Sequence, residues 1–142
     1  MIVAMQTLYL DREIQTIDFL ATAERAGDLP PPCLLVLAAD DVGRLVLPIA
    51  IDEVPDDPPQ DERICALAAL LEHIVTFDYL HGVALAVARL GDPRPRGSDF
   101  GWHYALAQCC SATCFICYGT YVVTPYGVRR VRPSPISNRQ AV

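Results

Sequence analysis

Lysine is missing from this sequence: all eleven basic residues are arginine. No side-chain amine is therefore available for Schiff-base chemistry or for the lysine of a phosphate-binding P-loop. Positive charge is also in the minority. Seventeen acids give a formal net charge of −6, a field that repels nucleic-acid phosphates, so no nucleic-acid partner is expected. No uncharged apolar stretch reaches the roughly eighteen residues a membrane span requires, because Asp11, Asp40, Asp52, Glu72 and Arg89 interrupt every apolar region. The first ten residues lack the basic region, long apolar run and small-residue cleavage site of a secretory signal. No membrane association and a cytoplasmic location are expected. Catalytic motifs are missing too: there is no G-x-S-x-G elbow, no G-x-G-x-x-G turn, and no H-x-H or H-E-x-x-H pair.

What is present suits one folded unit. A chain of 142 residues, 52% of them apolar, is long enough for a core and short for two. One domain is expected over residues 1–132, with 133–142 as a tail. Asp11 is placed to cap a first helix with Ile14, Ile17, Leu20 and Ala21 facing inward and Gly27 as its stop. Residues 33–39 and 44–51 read as two strands joined by a tight turn at Asp40, Asp41 and Gly43. Six acids and three prolines between Asp52 and Glu62 mark an exposed loop, since prolines cannot donate to a sheet.

Helical spacing of Ile64, Leu67, Ala68, Leu71, Ile74 and Val75 predicts a second helix from 61 to about 80, with Glu62, Arg63 and Glu72 on other faces and Gly82 as its end. The apolar run 83–90 predicts a central strand covered on both sides. Ser98 or Asp99 offers an N-cap for a third helix running to about 112, with Trp102, Leu106, Cys109 and Cys110 inward. Residues 115–124 and 128–131 complete the sheet around a turn at Pro125 to Gly127. The order α-β-β-α-β-α-β-β predicts an α/β (α+β) domain, a mixed sheet flanked by helices.

Two clusters invite a chemical reading. Cys110, Cys114 and Cys117 form a C-x-x-x-C-x-x-C run that resembles the cluster-binding motif of radical SAM enzymes, but twenty-five residues after Cys117 cannot build the barrel that follows it. A metal held by Cys109 or Cys110 with Cys114 and Cys117 is the alternative to four buried, reduced thiols. His73 and His81 are too far apart for one helical face. The second cluster is the loop 89–99, which leaves a strand and enters a helix N-terminus. Arg89, Arg94 and Arg96, with Ser98, Asp99 and the nearby His103, could hold a phosphate or carboxylate; otherwise the loop is a plain connection whose arginines offset Asp56, Asp57, Asp61 and Glu62.

Over residues 33–132 the layout resembles the JAB/MPN fold, especially its RadC branch: a hairpin, a helix, an apolar strand, a Pro/Gly loop ending in Ser98 and Asp99, a helix and two strands. The resemblance implies a zinc peptidase scaffold. The stretch Val87-Ala88-Arg89-Leu90-Gly91-Asp92-Pro93 carries no histidine where that family has H-x-H-P, and Asp99 alone matches an acidic ligand. The implied domain is therefore without metal or cofactor. Asp99, Trp102, Thr124-Pro125 and Gly127 are also similar to small uncharacterised actinobacterial proteins, a likeness that implies no activity. The functional expectation is a non-catalytic interaction or scaffold domain, homodimeric or bound to another protein, with a small anionic ligand at loop 89–99 as the alternative.

Overall fold

Two runs free of charged side chains, Cys33–Ala39 and Gly82–Ala88, are buried along their whole length and form strands β1 and β3. Continuous burial requires cover on both faces, and it is supplied by helices on both sides of one sheet. The structure is a computed structural model and describes residues 7–52 and 54–133. The remaining elements are helix α1 (Glu13–Arg25), strand β2 (Leu45–Asp52), helix α2 (Gln60–Ile74), helix α3 (Gly97–Thr113), strand β4 (Ile116–Thr124) and strand β5 (Gly127–Arg130). Their order is the one read from the sequence, and they build a single α+β domain. Apart from Pro133, the expected tail 133–142 lies outside the described residues.

The sheet runs β2-β1-β3-β4-β5. Only β3 and β4 are parallel, joined by the α3 crossover; the other neighbours are antiparallel. Pro48 falls in β2, an edge strand, where a missing N–H costs no ladder bond. Helices α2 and α3 pack Leu67, Leu71, Trp102 and Leu106 on one face, against Leu34, Val36, Val83 and Leu85. On the other face Leu20 of α1 joins Leu35, Leu37, Tyr121 and Val123. The alternation of β1 and β3 side chains between these two cores makes each strand a shared wall.

Several local expectations are corrected. The N-cap of α1 is Arg12 rather than Asp11, with Glu13 as the first-turn acid. Its buried stripe is Thr16 and Leu20, while Ile14 is 76% exposed. Helix α2 stops at Ile74, not near Leu80. Thr76 Oγ1 donates to the His73 carbonyl at 2.7 Å, and the chain continues in two three-residue turns, Phe77 N–H to Ile74 O and Leu80 N–H to Phe77 O. Such turns keep Ile74, Phe77 and Leu80 on one side, so the sequence pattern imitates a longer helix. Gly82 opens β3 instead of ending a helix; a Cβ there would lie 2.9 Å from the Ile116 carbonyl, so the first β3–β4 contact admits no side chain.

Strand β4 carries a bulge. Val83 pairs with Cys117 and Leu85 with Thr120, so Ala84 alone opposes Tyr118 and Gly119. Gly119 takes the extra residue at φ +105°, a left-handed conformation that glycine adopts without a side-chain penalty. The inserted residue shifts the alternation by one, so Cys117 and Thr120 both face α3. Past the bulge Tyr121 turns to the α1 side, fully buried beneath the guanidinium of Arg130 at 5.9 Å.

Candidate functional site

The connection 89–96 between β3 and α3 is built around Arg89. Its Nε and Nη2 donate to the Asp99 carboxylate, the closest contact being 2.9 Å. Nη1 donates to the carbonyls of Leu90 and Asp92, and the other Nη2 hydrogen to Arg94 O. Every N–H of this guanidinium is spent on the protein's own acceptors, so Arg89 organises the loop and has no donor left for a ligand. Asp99 is 1% exposed and also accepts the Arg96 N–H at 2.7 Å. The α3 N-cap is Arg96, not Ser98 or Asp99. Arginine has no acceptor to return, so Asp99, at the third helical position, performs the capping by reaching back. At the helix N-terminus, which the sequence offered as an anion site, this carboxylate already supplies a negative charge and takes the Arg96 N–H.

Ser98 is also committed. Its hydroxyl lies 2.8 Å from Arg63 Nη2, which reaches Asp57 at 2.6 Å as well. Arg63 sits over the Trp102 ring and is 5% exposed, whereas helical spacing assigned it to an outer face. It latches the start of α2 to the start of α3, and the acidic loop before α2 supplies its counter-charge. Arg96 lies on the opposite bank of loop 91–96, beside a crevice of about 60 Å³ lined by Pro32, Asp56 and Trp102. His103 is elsewhere again: its Nδ1 is 3.0 Å from Thr120 Oγ1. Burial, with the charge of Arg130 added, lowers its pKa below the usual imidazole value. Of the six residues proposed from the sequence, Arg89, Arg96, Ser98 and Asp99 line this one crevice, whereas Arg94 and His103 lie apart from it.

The cysteine cluster divides likewise. Cys110 of α3 and Cys117 of β4 meet as a thiol pair. The Cys110 S–H bond holds the Cys117 thiol below the ordinary cysteine range against the effect of burial, while Cys110 is raised. Cys109 Sγ turns to the Ile64 carbonyl at 3.6 Å, and Cys114 is exposed at the left-handed end of α3. Among the described residues no three His, Cys, Asp or Glu side chains are gathered to hold a metal ion. Placing Cys114 on the exposed cap of α3 sets it apart from the Cys110–Cys117 pair despite their close spacing in sequence.

A concentration of charge forms where the sequence reading did not look. An open cleft of about 600 Å³ runs along the outer side of β5 between α1 and the start of α3, and Arg94, Arg129, Arg130 and Arg132 line it. Ile17 and Phe100 provide apolar banks, and among the described residues Glu13 is the one carboxylate in the lining. Arg130 reaches Glu13 at 3.1 Å and Tyr118 O at 3.3 Å, and Arg132 also reaches Glu13. Burial pushes the Glu13 carboxyl up, but the bonds from Arg130 and Arg132 outweigh it and hold its pKa below the ordinary value. These two arginines tie α1 to the sheet edge. The Arg129 side chain is exposed and, among the described residues, makes no ion pair or hydrogen bond. Arg94 has a loose contact with Asp92 at 3.4 Å and is 76% exposed there. The backbone bond from Arg94, with the charges of Arg94 and Arg129, holds the Asp92 pKa below the ordinary carboxylate value. Of the sequence candidates only Arg94 belongs to this cleft. The missed signal was the run Arg129-Arg130-Val131-Arg132, three of the chain's eleven arginines in four positions. Comparison with described protein families, with curated proteins and with solved structures finds no match.

Proposed function

We propose that this chain is a non-catalytic recognition domain that binds an anionic partner in the arginine cleft beside β5. The observation that carries the reading is the pair Arg94 and Arg129, two exposed guanidiniums on one bank of a cleft whose other arginines are already fixed by Glu13. In a chain of net charge −6, such a local excess of positive charge attracts carboxylates or phosphates that the remaining surface repels. The resemblance to a JAB/MPN layout belongs to the same proposal. Asp99, the one residue matching that family's acidic ligand, is bonded to Arg89, so a fixed guanidinium stands beside the carboxylate that a zinc would need. Self-association is part of this reading only if the partner proves to be a second copy.

Isothermal titration with pyrophosphate tests the proposal. Binding is expected to weaken at least tenfold in an Arg94→Ala, Arg129→Ala double variant, to fall steeply with salt, and to persist in Arg96→Ala. Equal affinity in the double variant, or loss only in Arg96→Ala, would return the site to the crevice on the other side of the loop.

A further inference from the structure

The cleft has a floor as well as charged banks, and the floor is the unpaired edge of a sheet. Strand β5 is last in the order β2-β1-β3-β4-β5. Its register pairs Tyr121 with Arg130 and Val122 with Arg129, and the Val131 N–H donates to Thr120 O at 2.7 Å. In an antiparallel ladder the inward groups alternate. Val131 and Arg129 thus direct their N–H and C=O to β4, while Val128 and Arg130 direct theirs outward, where no backbone group among the described residues meets them. The same alternation sorts the side chains. Val128 and Arg130 lie on the α1 side with Ile17, whereas Arg129 lies on the α3 side with Arg94 and Phe100.

Resting on the reading above and naming its ligand class, we infer that the partner is an extended acidic polypeptide segment that adds to β5 as a sixth strand, with acidic side chains toward Arg94 and Arg129 and apolar ones toward Ile17 and Val128. An added strand sits about 4.8 Å from its neighbour and alternates its side chains between the two faces. That spacing places one row against the guanidiniums and the other against the apolar bank of α1. Edge strands ordinarily carry charge to prevent pairing with their own kind. Here the charges that β5 itself carries, Arg129 and Arg130, are both positive, which disfavours a second β5 and favours an acidic strand. The outward N–H and C=O of Val128 and Arg130 supply the main-chain bonds.

The probe is a capped peptide alternating valine and glutamate, measured by fluorescence anisotropy against the full chain. Two controls accompany it: the same peptide N-methylated at alternate residues on its pairing edge, and a peptide of equal composition with the acids and valines in separate blocks. Strand addition predicts binding of the alternating peptide, at least tenfold weaker binding of both controls, and comparable weakening by Val128→Pro, which removes one outward N–H from an edge position that tolerates proline. Circular dichroism checks that this variant is folded, and the N-methylated control decides the question if it is not. Equal binding of all three peptides overturns strand addition and leaves the anionic cleft standing. Binding of pyrophosphate but of no peptide does the same. Binding of neither overturns both readings. A concentration-dependent dimer of the chain itself, blocked by Arg129→Ala, overturns a separate polypeptide as the occupant.

Discussion

Replacing Asp99 by alanine tests whether the loop before α3 is a structural device or a ligand site. The carboxylate is 1% exposed, and its partner Arg89 keeps 15% of its side-chain surface. Truncation leaves a largely buried guanidinium without its counter-charge and the Arg96 N–H without an acceptor. Breaking one side of a buried ion pair costs about 3–5 kcal/mol, and the orphaned N–H lies within that figure. Against a total stability of roughly 5–15 kcal/mol, this is a large fraction. At about 3–4 °C per kcal/mol for a chain of this size, the midpoint should fall by about 10–20 °C. Urea unfolding followed by circular dichroism gives the free energy directly. Asp99→Asn, which keeps an acceptor for Arg96, should fall between the two, and Arg89→Lys should also destabilise because an ammonium cannot reach the carboxylate and three carbonyls together. Arg94→Ala, at an exposed pair, should change stability by less than about 1 kcal/mol. A loss below about 1 kcal/mol for Asp99→Ala would refute the assignment and reopen the loop as a binding site.

Three further outcomes follow from the geometry. Gly119→Ala should cost about 1–3 kcal/mol in urea unfolding, because the bulge needs φ +105° and the new Cβ would lie 2.8 Å from Arg130 Nη2; a neutral result would mean the bulge can shift. The lowered pKa of His103 means that the unfolded chain takes up this proton first. Its contribution is constant above the unfolded value near 6.5 and becomes destabilising as pH falls below it, so His103→Gln should flatten the stability profile between pH 7 and 5; an unchanged profile would contradict burial of the neutral ring. Removing the donor in Cys110→Ala should move the Cys117 thiolate titration, read by ultraviolet absorbance, to higher pH, and an unmoved midpoint would mean the two thiols are not in contact.

The fold was legible because its signals are local and strong. The charge-free runs that become β1 and β3, the turn at Asp40, and the glycine after α1 each specify an element without knowledge of the rest. Asp40 illustrates this: it accepts the N–H groups of Val42 and Arg44 within its own turn. The site was not legible for the opposite reason. Loop 89–99 concentrates arginines in sequence, yet Arg89 turns inward, Arg96 and Arg94 take opposite banks, and Ser98 is taken by Arg63 from another helix. Which arginines share a cleft depends on the β4–β5 register and on α1 packing over the sheet face beside that edge, contacts separated by more than a hundred residues, such as Glu13 with Arg130. Arg63 shows the same limit in reverse. Its burial follows from Trp102 and Ser98, which helical periodicity around residue 63 does not reveal.

The central claim is that recognition occurs along β5 and not on the α3 N-terminus. Amide proton–nitrogen correlation spectra recorded during titration with pyrophosphate test it most directly. The account predicts saturable shifts concentrated at Val128, Arg129, Arg130, Ile17, Arg94 and Phe100, lost in the Arg94→Ala, Arg129→Ala variant. Shifts centred on Arg96 to Asp99, or none in any part of the chain, would contradict it.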